Sequence, residues 1–270
     1  KCMANGITGL SYDAVVIDEA QDLDSSLLRL LVGLCKNPNR IFITADANQS
    51  IYGSSFNWTD VHTNLRFQGR TGILHANYRS TREIGEAAQS YLSGGALDKE
   101  EIERAYVNSG PLPAIRAIQT ESEEIQILSR FLLSSARELR LTIGSCAVLC
   151  PTIKAGKAIA AELSQRGIEA TFMSGQDLNL SGSGVKVLTL NSAKGLEFPI
   201  VALAGFIHSG WYGNLPTHIR VEEREEFLAT DRRTMFVGMT RAMRTLLLMV
   251  PAQTKSPLLL DFDEMYWNLK

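Results

Sequence analysis

The stretch YDAVVIDEAQD, residues 12–22, decides the fold of this 270-residue chain. Its apolar centre, residues 14–17, is short, rich in β-branched side chains and halted by two acids, the pattern of a strand buried on both faces of a parallel sheet. Asp18 and Glu19 then stand at the strand's carboxyl end, the rim where open α/β sheets bind their ligands. Two adjacent carboxylates there need a cation or solvent to neutralise them. One can hold Mg²⁺ while its neighbour positions water, although acids after a strand also serve simply as helix caps.

Working outward, Asp24 followed by SSLLRLLVGLCKN carries leucines at helical spacing and reads as a helix stopped by Pro38. RIFITAD is a second strand ending at Asp46. GILHANYRST is a third, passing into a helix near Ser80. These three strands place three polar ends on one rim. Residues 93–113 mix glycine, proline and charge and read as a connector, which sets an expectation of a first lobe over 1–92 and a second over 114–270. In the second lobe, strands are expected at 115–118, 146–150, 171–173, 185–190, 200–204 and 246–250. Helices are expected at 121–140, 154–166 and 223–243. Strands alternating with helices of ten or more residues predict a parallel, doubly wound α/β sheet.

Composition narrows the function. Hydrophobic residues are 45% and charged residues 21%, as in an ordinary folded chain. Lys plus Arg number 27 against 29 Asp plus Glu, so no overall basic bias points to nucleic acid, although a local basic groove remains compatible. The four cysteines form no CxxC pair and have no histidine at ligand spacing, which argues against zinc and for reduced, buried thiols. No apolar run reaches the 18 or more residues of a membrane span, and no signal-peptide core opens the chain. The expected setting is the cytoplasm, with no membrane partner.

Five segments carry a further signal by their order: VVIDEAQD (15–22), ADANQSIYG (45–53), HANYRST (75–81), VKVLTLNSAKGLEF (185–198) and RRTMFVGMTRA (232–242). They resemble motifs II to VI of superfamily 1 helicases, closest to the UvrD/Rep-like group, and span nearly the whole chain. The resemblance implies two RecA-like lobes of the P-loop NTPase type with parallel sheets. It also implies an ATP-dependent DNA helicase or translocase that couples hydrolysis in an inter-lobe cleft to 3′-to-5′ movement on single-stranded DNA. Its cofactors would be ATP and Mg²⁺.

Carried over residue by residue, the resemblance has Asp18 ligate Mg²⁺ and Glu19 polarise the attacking water, while Gln49 contacts the terminal phosphate. Tyr78 would stack on adenine, and Arg79 and Arg241 would set guanidinium forks on the γ-phosphate. Gly195 would permit close backbone approach, and Glu197 would accept a ribose hydroxyl. Trp58, or Phe56, would stack a base, with Thr189, Asn191 and Lys194 near the DNA backbone. Without the series, Tyr78 reads as core, the arginines as solvated, Gly195 as a turn residue and Trp58 as packed under its own loop.

Three departures accompany the resemblance. No Gly-Lys-Ser or Gly-Lys-Thr occurs, so the family's phosphate-binding loop is absent from these residues. The expectation is a C-terminal part of a longer polypeptide, with the first lobe incomplete, inactive alone and partnered by the N-terminal remainder. Only about a hundred residues separate Arg79 from Val185, too few for the family's large inserted subdomain. Motif III runs on as YGSSFNW, and motif V has Asn191 where histidine is usual. The competing expectation is a non-catalytic remnant that binds DNA or protein. A lobe of a nuclease-helicase fusion is a third reading, for which the chain shows no nuclease carboxylate cluster.

Overall fold

The computed structural model describes residues 11–20, 23–45, 72, 74, 76–93, 105–175, 178–207, 221–260 and 262–269. Packing divides the chain into two compact units, 1–74 and 75–270.

In the first unit, β1 (Val15–Ile17) pairs in parallel with β2 (Ile41–Ile43), Val15 opposite Ile41 and Ile17 opposite Ile43. Between them runs α1 (Ser25–Gly33), begun by the Asp24 carboxylate accepting the Leu27 amide at 2.8 Å. Its Leu28 and Val32 close on Ile17 and Ala20 to make a small core. The helix ends at Gly33, short of Pro38, which instead opens a 3-10 turn capped by Asn37.

The second unit is built on six parallel strands: β5 (Ala114–Ile118), β6 (Cys146–Cys150), β7 (Ala170–Phe172), β8 (Val185–Thr189), β9 (Phe198–Leu203) and β10 (Ala242–Pro251). Their spatial order is β5-β10-β9-β6-β8-β7. Alternate strand residues face opposite layers. Cys146, Val148, Cys150, Val187 and Ala202 meet Ile125, Leu128 and Leu132 of α3 (Glu121–Glu138) and Ile159 and Leu163 of α4 (Ile153–Gln165). On the other side Leu149 and Leu203 lie under α5 (Val221–Met239), where Gly238 keeps the helix close: a β-carbon there would come within 2.4 Å of Leu190. Burial on both faces explains the nearly unbroken apolar strands. A buried charge lies within β8. Lys186 is 3% exposed, and its Nζ donates to the carbonyls of Gly144 and Gly182. Burial lowers its pKa, against the opposing pull of Cys146 and Glu169. The thiols of Cys35, Cys146 and Cys150 are unbridged and buried, and burial pushes Cys146 up to about 12.

β3 (Ala76–Thr81) and α2 (Arg82–Ser93) belong to this second unit, where the sequence reading put them with the first lobe. The physical reason is pairing and burial. β3 pairs in parallel with β4 (Ala105–Asn108), a strand that the expected connector conceals, and not with β1 or β2. The apolar face of α2, with Ile84, Ala88 and Tyr91 buried, packs on α5 and β10. At Gly85 of α2 a β-carbon would fall 2.2 Å from the Tyr106 hydroxyl of β4. Gly85→Ala should therefore cost about 1–3 kcal/mol of stability through overpacking, readable as a lowered urea midpoint.

A C-terminal segment braces these helices. Tyr91 stacks on Phe262 with ring centroids 5.5 Å apart, and Phe262 meets the buried Trp267 edge-on at 5.3 Å. Arg232 of α5 lies 4.9 Å from the Tyr91 ring centroid and donates to the carbonyls of Tyr91 and Pro257. Asn268 continues the sheet beyond β5, accepting the Ile115 amide at 2.8 Å. Beside Arg232, burial pushes the Asp231 carboxyl up to about 6. Its unfolded value is about 3.9, so the stability it contributes is full below about pH 4 and is lost as pH rises through 6. Asp231→Asn should remove that loss and stabilise the protein at pH 7 by on the order of 2 kcal/mol, with little gain at pH 4. Urea midpoints from pH 4 to 7 check it.

Candidate functional site

β1 and β2 extend their pairing beyond the strands: the Thr44 amide donates to Ile17 and the Ala20 amide donates to Thr44, each at 2.9 Å. This register brings the Thr44 hydroxyl to the Asp18 carboxylate, to which it donates a hydrogen bond. The Glu19 amide donates to the same carboxylate at 3.1 Å and to the Thr44 Oγ1 at 3.3 Å. Glu19 itself adopts a left-handed backbone, φ 52°, unusual for a residue with a side chain. Both carboxylates are exposed while Ala20 beneath them is fully buried. Asp18 is thus held and oriented at the end of a strand, with hard oxygen atoms suited to a divalent cation. Among the described residues no cluster of three or more His, Cys, Asp or Glu could hold a metal unaided.

In the second unit, three of the sequence's segments meet. At the end of β8, Thr189 Oγ1 accepts the Ser192 amide at 3.2 Å and shares a 2.8 Å hydrogen bond with the Ser192 hydroxyl. A 3-10 turn, Asn191–Ala193, follows, and the Leu196 amide donates to Ala193 at 3.0 Å. Gly195 makes the reversal at φ 77°, a conformation that most side chains avoid. The turn delivers Glu197 to Arg79 of β3, with Oε1 2.5 Å from Nε. Arg79 is set by an Asx turn: Asn77 Oδ1 accepts the Arg79 amide at 2.9 Å. Tyr78, beside it, is 71% exposed, and its carbonyl accepts from Asn108 at 2.9 Å.

Arg241 comes to the same turn from the other side. It is 2% exposed, and its Nε donates to Val237 at 2.9 Å, its Nη1 to Leu196 at 3.3 Å and its Nη2 to the Thr240 hydroxyl at 3.2 Å. Its carbonyl accepts the Phe198 amide at 3.0 Å. The guanidinium expected to face solvent and phosphate is turned inward, onto chain carbonyls.

The structure therefore brings Arg79, Glu197, Gly195 and Arg241 together, with Tyr78 adjacent and Thr189, Asn191 and Lys194 at the start of the same turn. Asp18 and Glu19 stand together in the first unit. Gln49, Trp58 and Phe56 lie outside the described residues. Three contributors escaped the sequence reading: Thr44, Asn77 and Asn108. Thr44 was findable, because pairing RIFIT with VVID in parallel sets its hydroxyl beside Asp18.

A family model described as the UvrD-like helicase C-terminal domain matches residues 73–179 and 175–253. One described as the UvrD/REP helicase N-terminal domain matches residues 9–71. Over 173 residues the chain is 27% identical to the ATP-dependent DNA helicase UvrD1 of Mycobacterium tuberculosis, covering 60% of this chain and 22% of that protein. Over 175 residues it is 30% identical to the mitochondrial ATP-dependent DNA helicase HMI1 of Saccharomyces cerevisiae, covering 58% of this chain and 24% of that protein. The aligned stretch thus spans about a quarter or less of either relative. The crystal structure of the C-terminal domain of a possible DNA helicase from Lactobacillus plantarum superposes with a TM-score of 0.51 at 21% identity, over 72% of this chain and 98% of that one. The second unit shares its RecA-like fold. With family models matching most of its length, in the order in which its motifs run, the chain belongs to the UvrD-like helicase family.

Proposed function

We propose that the chain supplies motifs II to VI of an ATP-dependent DNA helicase or translocase that moves 3′ to 5′ on single-stranded DNA. The observation that carries this reading is the convergence of two arginines from distant segments on the turn 195–197, Arg79 on Glu197 and Arg241 on Leu196. In such a site Asp18 ligates Mg²⁺, which would screen phosphate charge and orient the terminal phosphate. Glu19 polarises the attacking water and Gln49 contacts the terminal phosphate. Exposed Tyr78 presents a ring face to adenine, Arg79 pairs with phosphate oxygens and Glu197 accepts the ribose hydroxyl. Arg241 acts on phosphate once its fork leaves the chain carbonyls. Trp58, Thr189 and Asn191 face the DNA strand.

Because no Gly-Lys-Ser or Gly-Lys-Thr occurs in the 270 residues, hydrolysis requires a phosphate-binding loop from additional sequence. That same lack favours the second reading, a non-catalytic module that binds DNA or protein. ATP hydrolysis with and without single-stranded DNA decides between them. The expected result is negligible turnover by the 270 residues alone, and DNA-stimulated turnover once they are joined to an upstream segment carrying the loop. A folded, joined protein with no DNA stimulation would overturn the enzymatic reading.

A further inference from the structure

The Arg79–Glu197 pair is fixed at both ends by backbone. Asn77 holds the amide of Arg79, and Asn108 holds the carbonyl of Tyr78 just before it. On the other side, Glu197 lies between two residues that Arg241 clamps, Leu196 through its carbonyl and Phe198 through its amide. Gly195 fixes the entry to that turn. The two side chains thus meet at 2.5 Å without any adjustment of the chain, in a place where the arginine is 44% and the glutamate 34% exposed.

Such a pair is firm in geometry and weak in energy. Half-exposed ion pairs hold on the order of 1 kcal/mol or less, because water screens the charges and two long side chains lose freedom. A polyphosphate offers a guanidinium more charge and a bidentate fit, so it can take the arginine from the carboxylate. The carboxylate also lowers the positive field that a free anion would feel at Arg79.

We propose that Glu197 is a stand-in for phosphate. It holds Arg79 while no triphosphate is bound and yields it when one arrives. This rests on the nucleotide reading above and adds a second task to Glu197, that of a positioning residue acting through Arg79. The consequence is discrimination by the sugar. An anion without ribose breaks the pair and leaves Glu197 with nothing in return. ATP breaks it too, but gives the freed carboxylate a hydroxyl to accept. The exchange thereby penalises bare phosphates relative to nucleotides.

The test uses the 270 residues joined to an upstream segment carrying the phosphate-binding loop, titrated with inorganic tripolyphosphate and with ATP, each without metal, and followed by the Arg79 Nε–H resonance and by calorimetry. Glu197→Gln keeps the side chain's shape on a half-exposed turn, so folding is preserved. It should tighten tripolyphosphate about three- to fivefold, and ATP by less, narrowing the preference for the nucleotide. In an Arg79→Ala background the tripolyphosphate gain should vanish, because the latch has lost its partner. If Glu197→Gln left tripolyphosphate affinity unchanged or lower while ATP still bound, the stand-in role would be overturned and the nucleotide reading would survive. A gain that persisted in Arg79→Ala would overturn it as well, by showing simple removal of a negative charge. Failure of the joined protein without substitutions, its phosphate-binding loop included, to bind ATP would instead overturn the nucleotide site, and the stand-in role with it.

Discussion

Arg241→Ala is expected to lower the unfolding free energy of the second unit by about 3 kcal/mol, the sum of a vacated volume and carbonyls left without a donor. The side chain is 2% exposed and spends its Nε and both Nη atoms on Val237, Leu196 and Thr240. Few single residues reach from the end of a helix to the turn before the next strand, so the loss falls on tertiary assembly and not on α5 alone. Arg241→Lys keeps the charge, yet one ammonium cannot serve carbonyls lying in separate directions, and it should recover only part of the difference. Urea denaturation followed by tryptophan fluorescence measures both variants. If Arg241→Ala stayed within about 0.5 kcal/mol of the parent, the inward hydrogen bonds would be dispensable and the fork already free for a ligand.

In a polypeptide that combines these residues with a phosphate-binding loop, Glu19→Gln should reduce ATP turnover by about 10²–10⁴-fold, the range for losing a positioned base. Nucleotide affinity should change little, because Asp18 is oriented by the Thr44 hydroxyl and by the backbone amide of residue 19, which glutamine retains. A single-turnover assay separates the two effects. Unchanged turnover would place the water-positioning group elsewhere. Thr44→Val offers a graded companion: it removes a hydrogen bond to Asp18 and the acceptor of the Glu19 amide while leaving both carboxylates in place, and should weaken metal-dependent nucleotide binding while leaving metal-free binding as it was.

The strands of the second unit were legible because burial on both faces leaves little choice of residue. CAVLC reads as a strand over 146–150, and the structure has β6 over Cys146–Cys150. Lys186 shows where that logic ends. A lysine within VKVLT contradicts an apolar strand until the carbonyls of Gly144 and Gly182, distant or non-adjacent in sequence, accept its hydrogen bonds. β4 was hidden for a related reason. AYVN alternates too briefly to announce itself, and its partner β3 lies some thirty residues earlier. Motif spacing suggested the positions of Arg79, Glu197 and Arg241. It could not reveal that the first two pair with each other, or that the third faces inward, because both outcomes depend on a turn set by the left-handed Gly195. The packing of the C-terminal segment on α2 was not legible either, since Phe262 and Trp267 lack any periodic company.

The left-handed backbone of Glu19 has its own evolutionary reading. A glycine would sit at that position without steric penalty and leave the chain sturdier by about 1 kcal/mol, but with no acid at the tip of the strand. Selection for robustness alone would drift toward glycine here. A lineage that had given up hydrolysis would be free to make that change, so the identity of residue 19 among close kin records whether chemistry is still under selection.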